Sequence, residues 1–169
     1  MDILTYWFPN EDYNSWWFNS SHDIEIYNKY YNIMLNKFEM FNINNYDINY
    51  PENIITDIII LDQFSRNINR ITNNINILDY TIKAKQLSEL WINSKIYLTV
   101  PIRWTVFAFL PIRHLKDINE NNKLLIYLDE LLERNHELIN NKIYQKFKYH
   151  TEQHIKKIVN RKAGYIFID

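Results

Sequence analysis

The chain has no cysteine and a single glycine, Gly164, among its 169 residues. Without cysteine there is no disulfide framework, no thiolate metal site and no cysteine nucleophile, and the composition fits a reducing compartment. With one glycine there is no P-loop and no dinucleotide-binding glycine fingerprint, since both need glycine where the backbone closes on phosphate. Hairpin-rich β architecture is disfavoured for a related reason, because tight primed turns draw on glycine. Charge of one sign is lacking too: Lys and Arg number 19 against 20 Asp and Glu, a formal net charge of −1. No global basic field announces a nucleic-acid partner.

Long apolar runs are also missing. The longest, Tyr97 to Ile112, is interrupted by Arg103 and bracketed by Pro101 and Pro111. It is too short and too charged to span a bilayer and reads as a core helix. The opening Met1-Asp2-Ile3-Leu4-Thr5-Tyr6-Trp7 carries an acidic residue and no basic n-region, unlike a signal peptide. The expectation is a cytoplasmic protein with no membrane partner.

What is present is apolar and aromatic: 47% hydrophobic and 16% aromatic residues. This suits one helical domain over residues 1–169, its core rich in Trp, Phe and Tyr. Trp7, Trp16 and Trp17 are expected as core and staple residues. Asn is expected to take over turns from glycine, because it tolerates positive φ, at Asn44-Asn45, Asn73-Asn74 and Asn121-Asn122.

Apolar spacing of three and four predicts a helix from Asp23 to Met40, after a capping cluster Ser20-Ser21-His22-Asp23. Pro51 suits the first turn of a helix running through Ile60 and Leu61. The run Ile58-Ile59-Ile60-Leu61 is apolar on all sides, so that helix is expected to be central. Further helices are predicted from Ile75 to Trp91, from Pro101 to Leu110 with Pro111 ending or kinking it, from Asn119, and from Asn141 to Val159. Helices joined by short polar turns imply an all-α fold, either a compact bundle or an α-α superhelix.

The segment Leu61-Asp62-Gln63-Phe64-Ser65-Arg66-Asn67 is the most suggestive for function. Its hydrogen-bonding side chains follow an all-apolar helix, which predicts a place at the edge of the core. Asp62 and Arg66 stand four apart and pair if the helix continues. A partly buried guanidinium is also what a carboxylate or phosphate ligand requires. The two readings are a structural network and a ligand site.

The phrase Ile59-Ile60-Leu61-Asp62-Gln63-Phe64-Ser65-Arg66-Asn67, followed by Arg70, resembles the hallmark of a bacterial domain-of-unknown-function family recognised by LDQFxRN. Leu4-Thr5-Tyr6-Trp7-Phe8 with Trp17-Phe18 and Asp23 resembles its N-terminal pattern. Phe109-Leu110-Pro111-Ile112-Arg113-His114 resembles its YLPLxH element, and His154 to Gly164 its HRDIIxRFG stretch. The resemblance implies a tetratricopeptide-like superhelix and a polar cluster assembled from Asp62, Gln63, Arg66, Asn67 and His114. Two positions depart from the pattern. His114 precedes Leu115-Lys116-Asp117 where the family has Ser-Glu, and Tyr165-Ile166-Phe167-Ile168-Asp169 stands where the family has FPHRN. If the family's site uses the His-Arg-Asn of that element, the resemblance implies a member that lacks those groups.

His114 also has two readings from its position: neutralising carbonyls at a helix end, or serving as acid or base. His150 and His154 lie at i and i+4, but the intervening Glu152 is misplaced for zincin chemistry and no third ligand is evident. Two exposed histidines and no metal are expected. Lys142, Lys146, Lys148, Lys156, Lys157, Arg161 and Lys162 make the last helix basic, with Tyr144, Phe147 and Tyr149 interleaved. That pattern fits an RNA-tracking surface, or a solvated face whose aromatics point inward.

The leading expectation is a binding module without a cofactor. It holds a small acidic ligand or peptide through Arg66, Gln63, Asn67 and His114, with Asp62 orienting Arg66. The alternatives are an enzyme using His114 as acid/base and Arg66 as stabiliser, and an adaptor binding a protein or RNA through the basic C-terminal helix.

Overall fold

The three-and-four spacing of Ile26, Tyr30 and Met34 buries one face of α2 (Asp23–Glu39), as the periodicity predicts. The computed structural model describes residues 2–164, the side chains of 162–164 excepted. Among the described residues there are helices and turns and no strand. The order is α1 (Ile3–Trp7), a 3-10 turn Ser15–Phe18, α2, α3 (Pro51–Ile58), a π-turn Ile59–Phe64, α4 (Ser65–Thr72), α5 (Ile77–Asn93), α6 (Ile102–His114), α7 (Ile118–Arg134) and α8 (Lys142–Gly164). No helix among the described residues is long and apolar enough to cross a membrane.

The chain forms two compact units, Met1–Pro111 and Ile112–Asp169, the division falling inside α6. In the first, Trp7 is fully buried, edge-on to Phe64 at 5.5 Å and to Phe107 at 5.6 Å. Tyr30 stacks on Phe64 at 4.7 Å, and the Trp17 indole donates to the Trp7 carbonyl at 2.7 Å. These ring contacts tie α1 and α2 to the π-turn. Trp16 lies at the edge of this group, against Trp7 and the His22 ring. In the second unit α7 packs on α8, burying Leu124, Leu128, Ile143 and Phe147, and the Tyr144 hydroxyl donates to the Leu128 carbonyl at 3.1 Å.

Several local expectations are corrected. Pro51 opens α3 as expected, and the helix continues beyond Leu61, through the π-turn into α4 without a break. Pro111 does not stop α6, which continues to His114; a proline removes one hydrogen bond, and the next residue, Ile112, is buried. Positive φ occurs at Asn73 (51°), as the Asn73-Asn74 turn predicts, and also at Lys95 (55°) and Lys116 (58°). Asn121-Asn122 is no turn: Asn121 lies fully buried within α7, its amide donating to the Asp117 carbonyl at 2.7 Å. The cap of α7 is instead Asp117, which accepts from the Glu120 backbone N–H at 2.9 Å.

Candidate functional site

The sequence signature lies where α3 becomes α4, and the junction is a π-turn whose six residues are all buried. A π-turn widens the helix by one residue, and such turns recur at functional sites because they re-aim side chains without ending the helix. Here the polar residues do not sit at the edge of the core, as the sequence suggests, but inside it. Asp62 is 0% exposed, Gln63 5% and Asn67 2%. The apolar helix continues around them, so their polar groups must be satisfied by one another.

They form two networks. In the first, Asp62 accepts from the Gln63 amide at 2.6 Å and from Arg66 Nη2 at 3.2 Å. Arg66 Nη2 also donates to the Thr81 hydroxyl of α5 at 2.8 Å. The Asp62–Arg66 pair thus forms at the predicted spacing of four, with Thr81 steadying the guanidinium from a neighbouring helix. In the second, Asp23 at the start of α2 accepts from Asn67 Nδ2 at 2.8 Å and from Arg70 Nε and Nη2 at 2.6 Å each. Arg70 Nη2 also reaches the Asn19 carbonyl at 3.1 Å. Asp23 therefore leaves its expected place in a capping cluster and becomes a buried anchor for α4. Between the networks, the Ser65 hydroxyl donates to the Leu61 carbonyl at 2.6 Å, inside the π-turn.

The two arginines differ. Arg70 is gripped side-on by one carboxylate and locks α4 to α2. Arg66, whose side chain is 28% exposed, engages its partners through Nη2 alone. Its Nε is buried and has no hydrogen-bond partner among the described residues. This N–H stands unsatisfied beside the paired network.

His114 closes α6 in the second unit, next to Arg113, where two basic residues complement the carbonyl end of the helix. The helix end is completed by Lys116 N–H on the Arg113 carbonyl at 3.4 Å. Residues 165–169, where the sequence is expected to depart from the family pattern, lie outside the described residues.

The chain matches, over residues 3–162, the family described as "Bacterial protein of unknown function (DUF924)". It belongs to that family. No curated protein and no solved structure matches it. Membership in DUF924 thus brings no reaction and no ligand, and the side chains carry the functional reading.

Elsewhere the DUF924 chain departs from expectation in part. His150 is exposed, but His154 is half-buried with its Nε2 enclosed and unpartnered. Burial, then the Arg113 charge, lower the pKa of both imidazoles. Among the described residues no group of three His, Asp or Glu is placed to hold a metal. Of the aromatics in the basic segment, Tyr144 and Phe147 point inward and Tyr149 outward, while Lys148 is paired with Asp129 at 2.7 Å.

Sequence reasoning missed Thr81, which carries no local signal, and the pairing of Asp23 with Asn67 and Arg70. It also missed Asp57, a carboxylate in the apolar run Ile54-Ile55-Thr56-Asp57-Ile58 that is 4% exposed. A charge interrupting a hydrophobic stripe was the available signal.

Proposed function

We propose that this protein is a binding module that holds a small acidic group, a carboxylate or phosphate oxygen of a metabolite or peptide, against Arg66. The observation that supports this most is the buried, unpartnered Nε of Arg66 beside a guanidinium already fixed through Nη2 by Asp62 and Thr81. A fixed guanidinium loses little freedom on binding, and a ligand oxygen supplies the missing acceptor through a charge-assisted hydrogen bond. Asp62 and Gln63 serve as orienting residues in this reading, and Asn67 belongs to the frame through Asp23. Within the second unit the consecutive helices α7 and α8 pack as a pair, the kind of local unit that a tetratricopeptide-like scaffold repeats.

The test is thermal unfolding of the wild type and Arg66→Gln in the presence of succinate, inorganic phosphate and a peptide with a free C-terminus. A ligand that binds only the folded state raises Tm, the more so the further its concentration exceeds Kd. The reading predicts a rise with at least one of the three in the wild type and none in the variant. Equal shifts in both proteins contradict it.

A further inference from the structure

The C-terminal half of α2, the turn that follows it and one side of α3 line an open cleft of about 680 Å³, within the range of small-molecule sites. Asp57 is one of its lining residues. This carboxylate is 4% exposed, yet its hydrogen bonds all fall on one oxygen: Oδ2 accepts from Lys37 Nζ at 2.9 Å and from the Tyr46 hydroxyl at 2.7 Å. Oδ1 takes no hydrogen bond among the described residues. An ionised carboxylate has acceptor sites on both oxygens, and Oδ1, which is not among the enclosed atoms, keeps its sites open to the cleft. Burial and the bond to Asp57 together raise the pKa of the Tyr46 phenol, so its hydroxyl stays a donor.

The walls of the cleft are apolar and aromatic. Phe41 and Tyr46 lie with ring centroids 6.1 Å apart, and Tyr50, Ile33 and Met40 are 53%, 40% and 80% exposed. Its charged lining residues are Lys37, Asp47 and Asp57, one cation against two carboxylates. Ring faces favour a cation, and the Asp57 and Asp47 carboxylates offer it counter-charges. The Phe41 ring already has one for a neighbour, the Lys83 ammonium at 5.3 Å from its centroid.

We propose that this cleft is a second binding site, separate from Arg66, and that it takes a small aliphatic amine. The ammonium donates to Asp57 Oδ1, and the carbon chain lies along Met40, Ile33 and the Phe41 ring. Lys37 and Tyr46 hold the carboxylate in place through Oδ2.

The test is a two-dimensional NMR titration of the ¹⁵N-labelled full chain with 1,4-diaminobutane, with 1-butanol and butyrate as controls. The expected result is saturable shifts confined to amides around the cleft, given by the diamine and by neither control. Asp57→Asn is expected to weaken them at least tenfold. Tyr50→Ala, which leaves the Asp57 bonds intact, is expected to weaken them severalfold, and it decides the matter if Asp57→Asn does not fold. Three results overturn the proposal: no saturation below about 1 mM, the same shifts with butanol, or an affinity unchanged by Tyr50→Ala.

Discussion

Arg70 grips the carboxylate of Asp23 with Nε and Nη2, each at 2.6 Å, across 47 positions of sequence. The acceptor is 2% exposed and the guanidinium 44%, so the pair is a buried anion held from the surface side. The same carboxylate receives Asn67, one turn earlier on α4. The second arginine of the signature thus works as a clamp between α4 and α2, and the binding role proposed above falls to Arg66 alone.

Arg70→Ala strips a buried carboxylate of its counter-ion. Its expected cost is about 3–5 kcal/mol of folding stability, read from urea unfolding. Arg70→Lys keeps the charge but not the fork, and about 1–2 kcal/mol is expected for it. A loss below 0.5 kcal/mol for the alanine variant, on the order of an ordinary surface substitution, would show that the clamp does not hold the helices.

The Ser65 hydroxyl occupies the widened turn, bonded to the Leu61 carbonyl at 2.6 Å and fully buried. Removing it in Ser65→Ala leaves that carbonyl without its side-chain donor. The expected destabilisation is about 1–2 kcal/mol, with the m-value unchanged because the buried area is conserved. Deleting a single residue from Ile59–Phe64 is far more severe. It rotates α4 by roughly 100° relative to α3, which turns Asn67 and Ile68 away from their partners. Loss of cooperative unfolding is the expected outcome, checked by circular dichroism.

His154 is held below the ordinary imidazole value of 6.5 by burial and by the charges of Arg113, His114 and Lys116. His150 is lowered in the same direction. A lowered folded-state value means that the unfolded chain takes up protons first as pH falls. Stability is therefore complete above about 6.5 and is lost on acidification below it. Urea midpoints at pH 7.5 and 5.5 measure this, and His154→Gln is expected to flatten part of the difference. A midpoint that rises on acidification in the wild type, but not in the variant, would reverse the assignment.

Much of the scaffold was legible in the sequence because amphipathic spacing depends only on near neighbours. Ile26, Tyr30 and Met34 declare α2, and Pro51 declares the start of α3. The Asp62–Arg66 pairing was legible for the same reason, as a four-residue spacing on one helix. The π-turn was not, because its extra residue changes the phase of the helix without changing composition. The second partner of Arg66, Thr81, and the partner of Asn67, Asp23, lie 15 and 44 positions away, and nothing local marks either residue. Asn misled in one case: Asn121-Asn122 has the composition of a turn, but Asp117 caps a helix that carries both inside it.

The most direct test of the central claim is native mass spectrometry of the full chain, purified gently, beside Arg66→Gln prepared the same way. The account predicts a discrete small-molecule adduct on the wild type, anionic once released, and a bare mass for a variant that still unfolds cooperatively. A bare wild-type mass, or an adduct retained by Arg66→Gln, would contradict it and leave the signature as a purely structural network.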